Sequence, residues 1–229
     1  KDTKSLRYGK VMIMTDQDHD GSHIKGLVIN LFHSEWPELL RMDYLNCMVT
    51  PIIKASHGKK IKSFYTLTEY QGWINKTQNS KSWKTKYYKG LGTSSAAEAR
   101  EYFSNMKLNN YIYTPDTNDK MSLAFSKDKS DLRKQWLYNF DENSILDHNM
   151  KDISIPDFID RELIHFSNSD TLRSIGSLYD GLKPSQRKIL YSCFKRNLYN
   201  EIRVAQLAGY VSEKAAYHHG EASLQSAIV

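Results

Sequence analysis

Val11-Met12-Ile13-Met14-Thr15-Asp16-Gln17-Asp18-His19-Asp20-Gly21 is the stretch on which the fold turns. Five residues without a charge run straight into three carboxylates spaced two apart. A short apolar run of this kind reads as a buried strand that delivers its loop at the carboxyl end of a sheet. After Gly21, which lets the backbone turn sharply, Ile24, Leu27, Val28, Leu31 and Phe32 recur at helical spacing, and Pro37 marks the stop. Strand, acidic loop and helix therefore open the chain. Downstream, Leu45 to Ala55 and Ile61 to Leu67 are extended runs around Gly58-Lys59-Lys60, the pattern of a hairpin. Trp83 to Tyr88 is a further strand candidate that enters Lys89-Gly90-Leu91-Gly92-Thr93. Ser95-Ala96-Ala97-Glu98 then supplies a capping box for a helix ending near Lys107. Tyr111 to Tyr113 closes the first domain as its last strand. Strands alternating with helices imply a mainly parallel α/β sheet.

Beyond about Ser126 the pattern becomes helical. Asp128 to Tyr138 and Pro156 to Phe166 are polar amphipathic stretches that read as connectors. Pro184 is placed as the first residue of a helix running through Lys195. Val204 to Tyr217 and Ala222 to Val229 flank His218-His219-Gly220 as helix, turn and helix. The expected organisation is an α/β domain over 1–125, a helical linker over 126–165 and a mainly α DNA-binding type of domain over 166–229.

A chain of 229 residues, 40% apolar and 12% aromatic, can bury one large core or two small ones and does not read as disordered. No run approaches the roughly 18 to 20 apolar residues that cross a bilayer, and the polar start shows no secretory signal. Cys47 and Cys193 are far apart and have no CxxC companion, so they read as reduced thiols. The formal charge is +6. Its distribution says more than its size. From Gly181 onward Lys183, Arg187, Lys188, Lys195, Arg196, Arg203 and Lys214 face only Glu201, Glu213 and Glu221. An acidic centre followed by a basic surface suits an enzyme acting on phosphodiesters. A solvated basic helix face gives the same count.

Asp16, Asp18 and Asp20 on one tight loop repel one another, and a divalent cation relieves that repulsion. Hard oxygen donors without a Cys or His set of zinc spacing favour Mg²⁺. A solvated acidic turn is the plain alternative. A calcium EF-hand also begins Asp-x-Asp-x-Asp-Gly, but its twelfth position here is Leu27 instead of a bidentate Glu, and a strand precedes the loop. No Walker A sequence is present. The adjacent His218 and His219 lack acidic or Cys partners for zinc.

The acidic loop, Met14 through Gly26, resembles the DxDxDG loop of the TOPRIM domain in type II topoisomerases. Lys25-Gly26 and Trp36-Pro37-Glu38-Leu39-Leu40 resemble the eukaryotic version more than the gyrase one. Tyr88-Lys89-Gly90-Leu91-Gly92-Thr93, Phe166-Ser167-Asn168-Ser169-Asp170, Asp180-Gly181-Leu182-Lys183-Pro184, Gln186-Arg187-Lys188, Val204-Ala205-Gln206-Leu207-Ala208-Gly209 and Ala216-Tyr217-His218-His219-Gly220-Glu221 match the same family in order. Gly176, Ser185 and Arg203 depart from it, standing where Pro, Gly and Lys are usual.

The resemblance implies a Rossmann-like TOPRIM α/β fold, with a mainly parallel sheet, followed by a mainly α winged-helix (helix-turn-helix) segment. It further implies that Asp16 and Asp18, with Asp20 as ligand or support, hold Mg²⁺. Lys89 lies where the family sets a basic group near the cleavage site. Arg133 and Lys134 match a basic linker pair. Lys183, Arg187, Lys188, Arg203, Gln206, Tyr217, His218 and His219 belong to the DNA-gripping part, mostly as sequence-independent phosphate contacts. The implied enzyme is an ATP-dependent homodimer acting on double-stranded DNA in the nucleus, with no membrane role. The family's EGDSA-type glutamate, AARY-type tyrosine and ATPase domain have no counterpart here. The chain is thus expected to be an inactive part of the enzyme, with half a metal site. A non-catalytic DNA-binding module and a TOPRIM-type hydrolytic nuclease are the competing expectations; bacterial gyrase is disfavoured because both motif sets share one chain.

Overall fold

A computed structural model describes residues 3–77, 79–88, 90–217 and 219–229. It divides into two compact units, Lys1–Phe166 and Ser167–Val229.

The opening motif of the first unit forms as its residues dictate. Strand β1 (Val11–Ile13) leads through the acidic loop into helix α1 (His19–Glu35), and Pro37 begins the short helix α2 (Pro37–Leu40). The chain then returns as β2 (Leu45–Met48), parallel to β1, with Val11 opposite Leu45. A parallel neighbour requires a crossover, and α1 supplies it. The run expected to be one extended strand, 45–55, is two. Pro51, which has no N–H to give a ladder, lies where the chain leaves the first sheet for a second one. There β3 (Ile53–His57), β4 (Lys60–Phe64) and β5 (Lys84–Tyr87) pair antiparallel in the order β4-β3-β5. The expected hairpin is β3–β4, turning at Gly58 with φ 59°. Helix α3 (Leu67–Lys76) covers this small sheet, and Phe64 stacks against Tyr70 and Trp73 at 5.2 and 5.1 Å.

Helix α4 (Ala96–Ser104) carries the predicted capping box at Ser95 and Glu98. It feeds β6 (Leu108–Ile112), antiparallel to β2. Helices α5 (Thr117–Phe125) and α6 (Ser130–Tyr138) then cross to β7 (Asp152–Ser154), parallel to β6. The first sheet reads β1-β2-β6-β7, with two of its three pairings parallel. It consists of two strand-helix-strand crossovers joined back to back.

That topology changes the place of residues 126–165. The stretch expected as a helical linker packs inside the first unit, because β7 is the edge strand that completes the second crossover. A continuous helical run follows: α7 (Ile155–Phe158), a π-helical turn (Ile159–Leu163) and α8 (Ile164–Ser174). Ile153, Ile155, Phe158, Ile159 and Leu163 share one core with Ile13, Ile29, Leu45 and Tyr111. Tyr111 to Tyr113 is accordingly not the last strand of its domain. Both cysteines are free, Cys47 buried and Cys193 half-buried.

In the second unit, α9 (Pro184–Arg196) has Pro184 in its first turn, and α10 (Val204–Lys214) and α11 (Glu221–Ile228) complete a three-helix core. Ile189, Leu207, Ala208, Val211 and Leu224 form that core, with the last three fully buried. The fold expectation stands: a mainly parallel α/β unit followed by a mainly helical one.

Because Ile153 on β7 is 1% exposed, Ile153→Ala should lower the stability of the first unit by about 2–5 kcal/mol. Urea unfolding of the two proteins measures this. A change confined to a few tenths of that value would mean that the segment is a loosely attached linker after all.

Candidate metal centre and nucleic-acid interface

The acidic loop leaves β1 at the carboxyl end of the sheet. Gln17 Nε2 donates to the Met48 carbonyl at 3.3 Å, tying the loop to the end of β2. Asp18 is the N-cap of α1, in extended conformation, and its Oδ1 accepts from the Gly21 N–H at 2.7 Å. A carboxylate here also meets the positive end of the helix dipole. Gly21 serves differently from the sequence-based expectation. It lies within α1, and a Cβ built on it would stand 1.9 Å from the Asp16 carbonyl oxygen. The close approach of the loop, not a sharp turn, demands glycine at 21.

A second loop closes on the first. A Cβ on Gly90 would fall 2.7–2.8 Å from the carboxyl atoms of Asp16. The glycine loop and the acidic loop, some seventy residues apart in sequence, therefore touch backbone against carboxylate. The glycine loop is anchored on both sides. Lys86 Nζ on β5 lies 2.8 Å from Glu98, the Ser95 N–H donates to Glu98 at 2.7 Å, and the Tyr88 hydroxyl donates to the same carboxylate. Burial alone would raise the Glu98 pKa. The donors Lys86, Tyr88 and Ser95 outweigh it and hold the carboxyl down at about 2. Lys89 lies outside the described residues.

Under the acidic loop sits a buried ion pair that the sequence did not advertise. Lys25 of α1, 2% exposed, is bonded to Glu162 of the π-helical turn. Ser22 Oγ lies 2.8 Å from the same carboxylate oxygen, and His148 Nε2 stands 3.7 Å from the other. Burial would lower the Lys25 pKa and raise that of Glu162. Each charge reverses the effect on its partner, so Lys25 ends above its ordinary value, Glu162 below, and both remain ionised. Burial is the main reason the His148 pKa is lowered. A cavity of about 280 Å³ opens beside this group, lined by Asp18, His19, Ser22, His148, Glu162 and His165 among others.

The three aspartates differ in setting. Asp16 and Asp20 are half-buried and Asp18 is exposed. Among the described residues, no group of three or more His, Cys, Asp or Glu side chains is arranged to hold a metal ion. In kind the donors fit a hard divalent cation, since they are carboxylate oxygens held at a loop the backbone packs around. In number they fall short. One oxygen of Asp18 is already engaged by Gly21, so a cation here needs ligands beyond this loop.

The predicted basic residues divide between the two units. In the first, Arg133 turns inward: its Nη1 donates to the carbonyls of Leu123 and Ser126 at 3.1 and 2.5 Å, closing the carboxyl end of α5. Lys134 is on the surface, 2.8 Å from Asp131. In the second unit, Lys183 caps α9, and Lys188 Nζ donates to the Ala216 carbonyl at 3.0 Å. Arg187 grips Asp180 through two nitrogens at 2.8 and 2.9 Å. Lys183, Lys188, Tyr217 and His219 line one concavity of about 320 Å³, where Arg173 and Ser185 join them. Arg173 was missed because no periodic or motif signal precedes it. Arg203 and Gln206 are exposed at the start of α10. His218 lies outside the described residues.

An acidic loop at the carboxyl end of a mainly parallel sheet, met by a glycine loop, defines a TOPRIM-type α/β unit, here followed by a helical unit with a basic concavity. The chain belongs to the TOPRIM family of eukaryotic-type DNA topoisomerase II: residues 48–171, just over half of it, match the C-terminal associated domain of TOPRIM. Residues 173–229 match the DNA gyrase/topoisomerase IV family. The chain is 52% identical to DNA topoisomerase 2-beta of Gallus gallus, over 99% of its own length and 15% of that protein's. It is 53% identical to the mitochondrial DNA topoisomerase 2 of Dictyostelium discoideum, over 99% of its length and 18% of that protein's. The crystal structure of the Plasmodium falciparum topoisomerase II DNA-binding, cleavage and re-ligation domain superposes with a TM-score of 0.83 at 53% identity, over 99% of this chain and 32% of that one. The chain thus spans less than a fifth of the curated relatives it matches.

Two outcomes test this geometry. Gly21→Ala should cost about 1–3 kcal/mol by overpacking against the Asp16 carbonyl. Gly209→Ala, inside α10 with nothing within 4 Å of its Cβ position, should instead stabilise by roughly 0.5–1 kcal/mol. Thermal unfolding that moves both variants in the same direction would contradict the packing described. The Glu98 anchor has a definite pH window. Its carboxyl is depressed from an ordinary 4.5 to about 2. The stabilisation is therefore whole above 4.5 and lost as pH falls through about 2. The Ser95 amide shift should follow that low titration, and Glu98→Gln should flatten it.

Proposed function

We propose that the chain is the metal-loop and DNA-gripping part of an ATP-dependent type II DNA topoisomerase, a homodimer working on double-stranded DNA in the nucleus. One observation carries the reading: the glycine loop packs its backbone at Gly90 directly on the Asp16 carboxylate. Two motifs distant in sequence thereby form one acidic, glycine-lined corner. Such a corner admits a phosphate backbone closely, because no side chain at 90 stands in the way.

Within this reading Asp16 and Asp18 hold Mg²⁺, with Asp20 supporting the loop from the first turn of α1. The ion, when bound, supplies positive charge for a phosphodiester oxygen. Lys89 is assigned the basic contact beside it. The basic concavity of the second unit, with Lys183, Lys188, Arg173, Tyr217 and His219, receives backbone phosphates, and Arg203, Gln206 and His218 extend the grip along the duplex. Such contacts position DNA without reading its sequence and weaken steeply with salt. Arg187, already paired with Asp180, acts on the loop before α9 first and on phosphate second. Arg133 is assigned to structure and Lys134 to a peripheral phosphate contact.

The reaction itself is a transesterification. A tyrosine oxygen attacks phosphorus, the bond to the 3′ oxygen breaks, and that oxygen leaves with a proton as a hydroxyl. The reverse attack reseals the strand, so bond energy is conserved through the covalent 5′ phosphotyrosine. None of the fifteen tyrosines in this chain is assigned as the nucleophile. This part alone is therefore expected to bind DNA without cutting it. ATP belongs to a domain outside the chain.

The test uses the whole enzyme and its Asp16→Ala variant with supercoiled plasmid and Mg²⁺, trapped by detergent. The expected result is linear DNA bearing protein on its 5′ ends for the wild type, and a loss of at least roughly a hundredfold for the variant. Cleavage without attached protein would replace this reading with a hydrolytic nuclease. DNA binding with no cleavage by the whole protein would leave a DNA-binding module.

A further inference from the structure

Glu162 is buried, charged and unused by the reaction proposed above, and its surroundings point back to the acidic loop. One of its oxygens is shared by Lys25 and Ser22. Ser22 Oγ also stands 3.2 Å from the Asp18 carbonyl, and the Ser22 N–H donates to the same carbonyl at 3.1 Å. Glu162 thus reaches the backbone of the acidic loop through a single hydroxyl. Its second oxygen is buried without a hydrogen-bond partner and faces His148 at 3.7 Å.

The π-helical turn at Ile159–Leu163 is what brings the carboxylate there. One extra residue per turn shifts the register by about 100°. On one side of the turn, Asp160 accepts from the Trp136 indole at 3.1 Å and pairs with Lys120. On the other, Glu162 enters the space under α1. Packing is close at this contact: a Cβ on Gly26 would stand 3.1 Å from Leu163 and 3.2 Å from Phe125. A buried ion pair is a poor source of stability, because an apolar pair of like volume does as well. What charge gives over apolar packing is direction. Lys25 and Ser22 lie three residues apart on one face of the first turns of α1, so a single carboxylate sets both the rotation and the depth of that helix.

We infer that Glu162 is a positioning residue for the divalent-metal loop: through Ser22 and Lys25 it fixes the start of α1, and with it the spacing of Asp16 and Asp18. The inference rests on the reading of that loop as a metal site. It makes Glu162, with no place in the loop, a determinant of metal affinity.

The experiment measures Mn²⁺ binding to the metal-free whole protein by electron paramagnetic resonance, alongside the melting temperature without metal. Glu162→Gln alone strands the Lys25 charge and threatens folding, so the deciding variants are Ser22→Ala and the double change Lys25→Met with Glu162→Leu. The double variant should melt near the wild type and bind Mn²⁺ about tenfold more weakly, the scale on which supporting residues act. Ser22→Ala should shift affinity the same way by less, with melting unchanged, and Ser22→Thr, which keeps the hydroxyl, should restore it. Wild-type Mn²⁺ affinity in a folded double variant overturns the inference. If the double variant does not fold, wild-type affinity in Ser22→Ala overturns it equally. Wild-type protein that binds no Mn²⁺ lost by Asp16→Ala also overturns it. A wild type that binds Mn²⁺ through Asp16 yet leaves no protein on DNA ends sinks the topoisomerase reading and leaves this one standing.

Discussion

The first unit is organised around two buried charges. Lys25 and Glu162 lie 137 residues apart in the chain, and their pairing under α1 joins the first strand-helix-strand crossover to the helical run that follows the second. Each charge alone would be costly in that interior; together they remain ionised because each supplies what burial removes. The acidic loop, the glycine loop and the cavity between His148, His165 and Asp18 are all built above this pair. The sheet provides the platform, and the pair determines how the first helix stands on it.

Two kinds of glycine use follow from the same crowding. Gly21 and Gly90 are needed because neighbouring atoms occupy the places a Cβ would take, in both cases atoms of Asp16. Backbone packed this tightly around one aspartate leaves the carboxylate few directions in which to turn. This is what a loop meant to present oxygens to a cation and a phosphate requires. Gly209, with open space around it, has no such role. A glycine count alone would have treated all three alike.

The second unit achieves its basic concavity by bringing the cap of α9, the turn after α10 and the end of α8 together around a small apolar core. Lys188 and Arg187 are each partly committed, one to a carbonyl and the other to Asp180. The positive surface is therefore held in place as well as charged. Fixed cations lose less freedom on meeting phosphate than mobile ones. Arg133 shows the limit of reading charge from sequence: its guanidinium closes a helix end and is spent there.

Much of the local structure was legible in the residues themselves. The apolar run before Asp16, the periodic Ile24 to Phe32, the Ser95–Glu98 box and Pro184 each specify an element within a few residues of themselves, where helix and strand rules operate. The ordered motifs likewise sufficed for the family. What the sequence did not disclose depends on contacts across the chain. Strand β7, three residues long after a polar loop, has no periodic signature, so the stretch 126–165 looked like a linker until β6 paired with it. Glu162 looked like one acid among many, because only a π-helical register and the packing of α1 turn it inward. Local propensities act over about four residues along a helix. The meeting of Gly90 with Asp16, and of Lys25 with Glu162, is decided by which elements pack together, and that is a property of the tertiary structure.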